Sequence, residues 1–159
     1  MTNGKRALID WLRHAHAMER ANVDNLDRLA DRFSRHPELA GRFREHWRDS
    51  LAQVAALEAC LKKLGSDTST VRDLTSRFVG VAHAYSGLPS LDVPVKDCVA
   101  AYASMHLEIA TYISLRAAAL ELEQPEIARM CDEHLARERA ISGWLEEQIA
   151  QVTVEFLRP

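Results

Sequence analysis

The stretch LIDWLRHAHAMERANVDNLDRLADRF, residues 8–33, decides the fold class. Its apolar and small residues recur every three or four positions, which is the spacing of one face of an α-helix. That face comprises Leu8, Leu12, Ala15, Met18, Asn22, Leu26, Leu29 and Phe33. The stretch contains neither proline nor glycine, the two residues that most often interrupt a helix. We therefore expect a long amphipathic helix over residues 5–34.

Three further segments repeat this pattern, and the helix-breaking residues fall between them. The second segment begins at Pro37 and ends at Gly65, because proline fits the first turn of a helix and glycine its end. The third spans residues 95–123, and its expected inward-facing residues are Cys98, Tyr102, Met105, Ile109, Tyr112 and Ile113. The fourth begins at Pro125 and continues to Val152. The sequence thus predicts four long helices.

The connections between these helices predict the topology. Tight connections at Pro37 and at Pro125 each join two long helices into an antiparallel hairpin. The hairpins are linked by a longer stretch, with a short helix expected over residues 70–85 and a loop over residues 86–94. We predict an all-α, ferritin-like four-helix bundle of two antiparallel hairpins, with a long crossover carrying a short extra helix. Residues 1–159 are expected to form this one domain.

Composition excludes several classes of protein. The 159 residues have a formal net charge of −3, so no basic surplus is available to bind a nucleic-acid backbone. No stretch of about 18 residues is free of charge, and the amino terminus lacks the apolar core of a secretory signal. We expect a cytoplasmic protein that spans no membrane. The three cysteines are too widely spaced for a CxxC metal site and are expected to be buried free thiols.

Acidic residues recur at matching positions on the predicted inner faces. Glu19 and Asp49 lie 30 positions apart in the first hairpin, and Glu108 and Glu138 lie 30 positions apart in the second. Each pair is centred on its connecting turn, about 15 residues or roughly 22 Å away along the helix. The four carboxylates are therefore expected to meet near mid-height of the bundle.

Two histidines accompany these acids. His46 lies three positions before the acid of its helix, and His134 lies four positions before, so each shares a helix face with a carboxylate. Four carboxylates and two imidazoles in a bundle core are the ligands of a di-iron or di-manganese site, although the usual order is Glu-x-x-His. The alternative is that the acids lie at the edges of the apolar faces or pair with Arg20, Arg48 or Arg137. Both interpretations stay open.

Several motifs then occur in a familiar order and spacing. They are HPEL at 36–39, His46-x-x-Asp49-Ser50-x-x-Gln53, Leu64-Gly65, HLEIATY at 106–112 and the run over residues 135–145. Together they resemble the YciE/YciF-type ferritin-like family of bacterial stress proteins, over nearly the whole chain. The resemblance implies a ferritin-like bundle, often dimeric, with a dinuclear metal centre. It implies no substrate.

Three positions depart from the family's pattern. Asp49 replaces a glutamate, and Met105 and Arg137 stand where the family has acids in the second hairpin. Methionine is a soft ligand that does not suit hard iron. These departures leave three alternatives open, namely one metal ion, a different metal, or the scaffold alone.

The candidate ligands and the departures from the family pattern together leave two possible functions. The first is a dinuclear metalloprotein that oxidises ferrous iron or reacts with dioxygen or peroxide in a stress response. Its cofactor would be two iron ions, with manganese or zinc as alternatives, and its metal ligands Glu19, His46, Asp49, Glu108, His134 and Glu138. The second is a non-catalytic stress or interaction protein whose metal site is degraded. In both cases we expect a homodimer that binds no nucleic acid and no membrane.

The remaining polar and aromatic residues have simpler interpretations. His14 and His16 are expected at the surface or at the boundary of the core. Tyr102 and Tyr112 flank Glu108 in sequence and could hydrogen-bond a ligand carboxylate. The three tryptophans are expected to pack in the bundle or to form dimer contacts; they are Trp11, Trp47 and Trp144.

Overall fold

The computed structural model describes residues 3–67 and 92–158. These residues form four long helices, namely α1 (Asn3–Arg32), α2 (Pro37–Lys63), α3 (Val93–Glu121) and α4 (Pro125–Leu157). No strand occurs among the described residues, which confirms the all-α class. The short helix expected over residues 70–85 and residues 86–91 of the loop after it lie outside the described residues.

The helix ends follow the predicted breakers. Pro37 and Pro125 are the first residues of α2 and α4, where a missing amide hydrogen breaks no helical bond. After α2, Gly65 has a φ of 76°, and the amides of Gly65 and Ser66 bond back to Lys62 and Leu61. This closing pair of hydrogen bonds is a Schellman motif, which requires a left-handed residue at this point.

The four helices pack as two hairpins placed side by side. The pair α1 and α2 and the pair α3 and α4 form the larger contacts, whereas α1 also meets α3 and α2 also meets α4. The order around the bundle is therefore α1, α2, α4, α3. This arrangement lets all four helices contribute side chains to one central axis.

The core consists of two apolar clusters separated by a polar layer. The first cluster surrounds the amino end of α1 and includes Leu8, Leu12, Ala15, Leu57, Leu61, Leu115, Ala119, Ile127 and Cys131. The second surrounds the carboxyl end of α1 and includes Leu26, Leu29, Phe33, Phe43, Cys98, Met105, Ile141 and Leu145. Between them, buried polar residues come from every helix: Glu19, Asn22, His46, Ser50, Gln53, Glu108, His134 and Glu138. The predicted mid-height layer is thus present.

The inner face of α3 differs from the one expected. Ile113 was expected to face inward but is 47% exposed, and Tyr102 is only partly buried. The buried face follows a heptad spacing instead, through Cys98, Ala101, Met105, Glu108, Tyr112, Leu115 and Ala119. The apolar residues beside this face misled the prediction, because an apolar side chain does not by itself mark the centre of a buried stripe.

The cysteines are free thiols. Cys98 and Cys131 are buried as expected, whereas Cys60 is only partly buried. Burial raises the pKa of the Cys98 thiol and of the Cys131 thiol to about 12. Among the described residues, no helix has an apolar stretch long enough to cross a membrane.

Candidate metal centre

Five ionisable side chains meet in the polar layer. Glu19 of α1, Glu108 of α3 and Glu138 of α4 are completely buried, with 0% of each exposed. His134 of α4 is also 0% exposed, and His46 of α2 is 2% exposed. Side chains of this type are almost never fully buried unless they are paired or bind a metal.

These side chains form two overlapping groups of possible ligand atoms. Glu19, Glu108 and His134 make one group, and His46, Glu108 and Glu138 make the other. Within each group, one ligand atom from each residue lies within 4.8 Å of the others. Glu108 belongs to both groups, and its carboxylate has two oxygens with which to serve two positions.

His134 lies at the centre of this cluster. Its Nε2 atom is 3.0 Å from Oε1 of Glu19, 3.6 Å from Oε1 of Glu138 and 3.9 Å from Oε2 of Glu108. On the other side, Nδ1 of His46 is 3.6 Å from the same oxygen of Glu138. One imidazole thus faces three carboxylates at close range.

Most polar atoms of this cluster have no hydrogen-bond partner. They are Oε2 of Glu19, Nε2 of His46, both ring nitrogens of His134, and both carboxylate oxygens of Glu108 and of Glu138. Nearly all buried polar groups in proteins are paired, because an unpaired one has lost its hydration without compensation. A divalent cation would satisfy carboxylate oxygens and imidazole lone pairs together, and this set of donors suits iron, manganese or zinc.

The pKa values of Glu108 and Glu138 also favour a bound cation. Burial raises the pKa of Glu108 well above its usual value, and the negative charges of Glu138 and Glu19 add to this effect. Burial also raises the pKa of Glu138 to about 9, with further increases from Glu19 and Asp49 and an opposing effect from Arg137. Without a cation, Glu138 therefore holds a proton at neutral pH, and burial and neighbouring charge disfavour ionisation of Glu108 in the same way.

His46 is a neutral imidazole at neutral pH. Burial lowers its pKa to about 4, and the negative charge of Glu19 only partly opposes this shift. A neutral imidazole offers a lone pair to a metal ion, whereas a protonated one cannot.

Tyr112 and Gln53 support the cluster from outside. The Tyr112 hydroxyl donates a hydrogen bond of 2.9 Å to Oε1 of Glu19, and Nε2 of Gln53 donates one of 3.1 Å to the Tyr112 oxygen. The predicted hydrogen bond of Tyr112 is therefore present, and it goes to a carboxylate of this cluster. The same expectation for Tyr102 is wrong, because its hydroxyl bonds to the exposed Glu146.

Three residues singled out from the sequence lie outside the two groups. Asp49 is partly buried and joins neither group, although its charge affects the pKa of Glu138. Met105 is buried in the second apolar cluster, and Arg137 is exposed. Among the described residues, the buried glutamates lie within 4 Å of histidine nitrogens, and the alternative pairing with arginines is not found.

The other histidines occupy different settings. His14 is exposed as expected, but His16 is only 4% exposed and bonds to Glu58. His106 is exposed against the ring of Tyr102. His83 lies outside the described residues.

Gln53 was not predicted to take part in the site. It is 1% exposed and bonds to both Tyr112 and the sulfur of Met130. It lies seven positions after His46, two helical turns along the same face of α2, and this spacing was the available signal.

Solved structures of similar fold cover almost the whole chain. A protein from Xanthomonas campestris is 29% identical, with 98% of this chain and 97% of that chain aligned and a TM-score of 0.83. A ferritin-like, diiron-carboxylate protein from Bacillus anthracis is 19% identical over 94% of this chain and 99% of that one, with a TM-score of 0.78. The E. coli stress protein YciF is 19% identical over 96% and 98% of the two chains, with a TM-score of 0.76.

These likenesses confirm the ferritin-like helical bundle, and YciF itself is among the similar structures. The resemblance noted in the sequence is therefore confirmed. The model of the family described as a domain of unknown function, DUF892, matches residues 4–158. YciF is among the solved structures of similar fold, and the chain itself belongs to the DUF892 family.

Proposed function

We propose that this chain is a dinuclear metalloprotein that oxidises ferrous iron or reacts with dioxygen or peroxide. The observation that carries the proposal is the pair of buried ligand groups that share Glu108 and whose polar atoms are largely unpaired. Three carboxylates placed this close together need positive charge to remain ionised. Two divalent cations would supply that charge.

Each residue of the site has a distinct task in this proposal. Glu19 and His134 would hold one ion, His46 and Glu138 the other, and Glu108 both. Asp49, at the edge of the cluster, would be the sixth ligand. Bound iron would supply the electrons for reduction of dioxygen or peroxide.

The surrounding residues prepare the site for this chemistry. The hydrogen bond from Tyr112 fixes one oxygen of Glu19 and leaves the other free. The apolar clusters on both sides exclude bulk water, which strengthens electrostatic interactions within the layer.

The comparisons support two finer points of the proposal. One structure of similar fold is described as a diiron-carboxylate protein, which favours iron over manganese or zinc. Another is described as a stress protein, which favours a role in a stress response. A cytoplasmic location and the lack of a nucleic-acid partner stay predictions from composition.

We also propose that the protein is a homodimer, as the family resemblance implies. Large apolar side chains are exposed on α1 and α3, among them Trp11 at 43%, Ile113 at 47% and Leu120 at 51%. Exposed apolar side chains of this size on two helices are available for a contact with a second copy of the chain. Light scattering on a sizing column should give twice the chain mass, and a monomer peak would contradict this part of the proposal.

The main experiment is metal analysis of protein purified without chelator. We expect about two equivalents of metal per chain, as in other dinuclear carboxylate bundles. Addition of ferrous iron in air to metal-free protein should then produce a ferric absorbance. The double variant Glu19→Gln, Glu138→Gln should lose both signals, whereas Glu133→Gln, an exposed acid of α4, should keep them. A wild-type chain that takes up no metal and gives no absorbance would favour the non-catalytic alternative.

A further inference from the structure

Among the described residues outside the metal centre, only His16 has a buried side-chain polar atom without a hydrogen-bond partner. It is 4% exposed, and its Nδ1 atom is buried without a hydrogen-bond partner. Its Nε2 atom lies 2.9 Å from Oε1 of Glu58, whose side chain is 52% exposed. The pair therefore joins a buried imidazole to a carboxylate that reaches solvent.

The position of this pair relates it to the metal centre. His16 precedes Glu19 by three positions on α1, so the two side chains lie one above the other on the same helix face. Glu58 is on α2, the helix that packs beside α1. Along α1, the His16 and Glu58 pair is therefore followed, about one turn further on, by Glu19 of the first ligand group.

A different solvent-accessible acidic residue lies near each of the two ligand groups. The group containing Glu138 has the partly buried Asp49 close enough to raise the pKa of Glu138. The group containing Glu19 has the His16 and Glu58 pair one helical turn away. Each group is thus accompanied by one acidic side chain that retains contact with solvent.

The chemistry of the pair suits a passing cation. One imidazole nitrogen and one carboxylate are ligands for iron, manganese, cobalt or zinc, but two protein ligands are too few for a closed structural site. An ion held there would keep most of its water. Such a site would release its ion readily to a cluster with more carboxylates.

We propose that His16 and Glu58 form a transit site, through which a divalent cation passes from solvent to the Glu19 side of the metal centre. This inference rests on the proposed function. In this proposal, His16 and Glu58 determine how fast the centre takes up metal, but not how much metal it finally holds.

The test measures the rate and the extent of filling separately. Metal-free protein is mixed with Co²⁺ without oxygen, quenched with chelator after set times, desalted and analysed for cobalt. Glu58→Gln should slow filling about tenfold or more, within the range by which local charge changes association rates. The final number of cobalt ions per chain should equal that of the wild type. Glu58→Asp keeps the carboxylate and should restore most of the rate.

Matched controls isolate the pair. Glu45→Gln removes an equally exposed acid from the same helix, and His14→Gln removes an exposed histidine from α1; both should fill at the wild-type rate. His16→Gln should slow filling as Glu58→Gln does. Glu58→Gln changes a half-exposed side chain, so its result decides the matter even if a His16 variant folds poorly.

Two results would overturn the transit site. One is filling of Glu58→Gln at the wild-type rate and to the wild-type extent, which leaves the metal centre itself intact. The other is a lower final cobalt content in Glu58→Gln at any filling rate, which would make Glu58 a ligand of the centre. Absence of cobalt from the wild-type chain would instead refute the proposed function, and the transit site with it.

Discussion

The Tyr112 hydroxyl lies 2.9 Å from Oε1 of Glu19, a residue 93 positions away on another helix. The hydroxyl donates its hydrogen to the carboxylate, while Gln53 donates to the tyrosine oxygen. This chain of two hydrogen bonds crosses the bundle from α2 through α3 to α1. It fixes the orientation of one carboxylate of the candidate metal centre.

Removal of this hydrogen bond should weaken metal binding without abolishing it. In Tyr112→Phe the ring still fills the core, but Oε1 of Glu19 loses its donor and can rotate. Losses of about 10- to 100-fold in affinity are typical when the partner of a metal ligand is removed. Competition with a coloured chelator measures the change. Tyr102→Phe removes an exposed hydroxyl from the same helix and should bind as the wild type does; an equal loss in both variants would contradict a specific role for Tyr112.

Glu108 should affect both ions, because it alone belongs to both ligand groups. Glu108→Gln keeps the shape of the side chain but removes its charge and leaves one oxygen for coordination. We expect metal content to fall from about two equivalents to one or less, measured by elemental analysis after dialysis. Glu133→Gln on the exposed face of α4 is the control. Retention of both ions by Glu108→Gln would exclude a bridging role.

The sequence was sufficient to predict the fold because the relevant signals are local. Pro37, Pro125 and Gly65 mark helix ends through their own backbone preferences, and the apolar spacing between them marks the helices. The shared height of Glu19 and Glu108 followed from helical rise and the position of the turns alone. These quantities require no knowledge of side-chain packing.

Contacts between helices could not be predicted in this way. Which residue of α3 faces inward depends on how that helix is rotated, so Ile113 and Tyr112 could not be distinguished by hydrophobicity. The burial of His16 depends on the neighbouring helix and on Glu58, 42 positions away. The partner of Tyr112 likewise depends on the packing of α3 against α1.

The stability of metal-free protein should fall as the pH rises. The pKa of Glu138 is about 9 in the folded chain, against an ordinary value of 4.5, so the folded state binds this proton more tightly than the unfolded state. Below the lower value the residue is protonated in both states and stability is unaffected. As the pH increases, the unfolded chain releases the proton first, and stability declines until the folded residue also ionises.

Glu138→Gln should reduce this decline, because the amide stays neutral throughout. Urea unfolding with chelator present, at about pH 7.5 and at about pH 9, measures it. His46 contributes little to this comparison, since its pKa in the folded chain is about 4 and its ordinary value is 6.5. Equal slopes for wild type and variant would contradict the assignment. With metal bound, the trend should reverse, because binding requires ionised carboxylates and becomes tighter as the pH rises.

Two helices end with a residue in the left-handed backbone conformation. Placing or removing a glycine at these positions should change the stability of the folded chain. Gly65 after α2 has a φ of 76°, and a methyl group there would meet no other atom within 4 Å. Gly65→Ala should therefore destabilise the protein by about 1 kcal/mol through backbone strain alone. Glu123 after α3 has the same kind of conformation, with a φ of 54°. Glu123→Gly should relieve that strain and stabilise the protein by up to about 1 kcal/mol.

The control is Gly143→Ala within α4, where a side-chain carbon would also meet nothing within 4 Å. There alanine is the better helix former, and we expect stabilisation by about 0.5–1 kcal/mol. Urea unfolding of all three variants at one pH, with chelator present, measures the differences. The same glycine-to-alanine change should therefore have opposite signs at positions 65 and 143. If both changes stabilised the protein, the left-handed end of α2 would not be a feature of the folded chain.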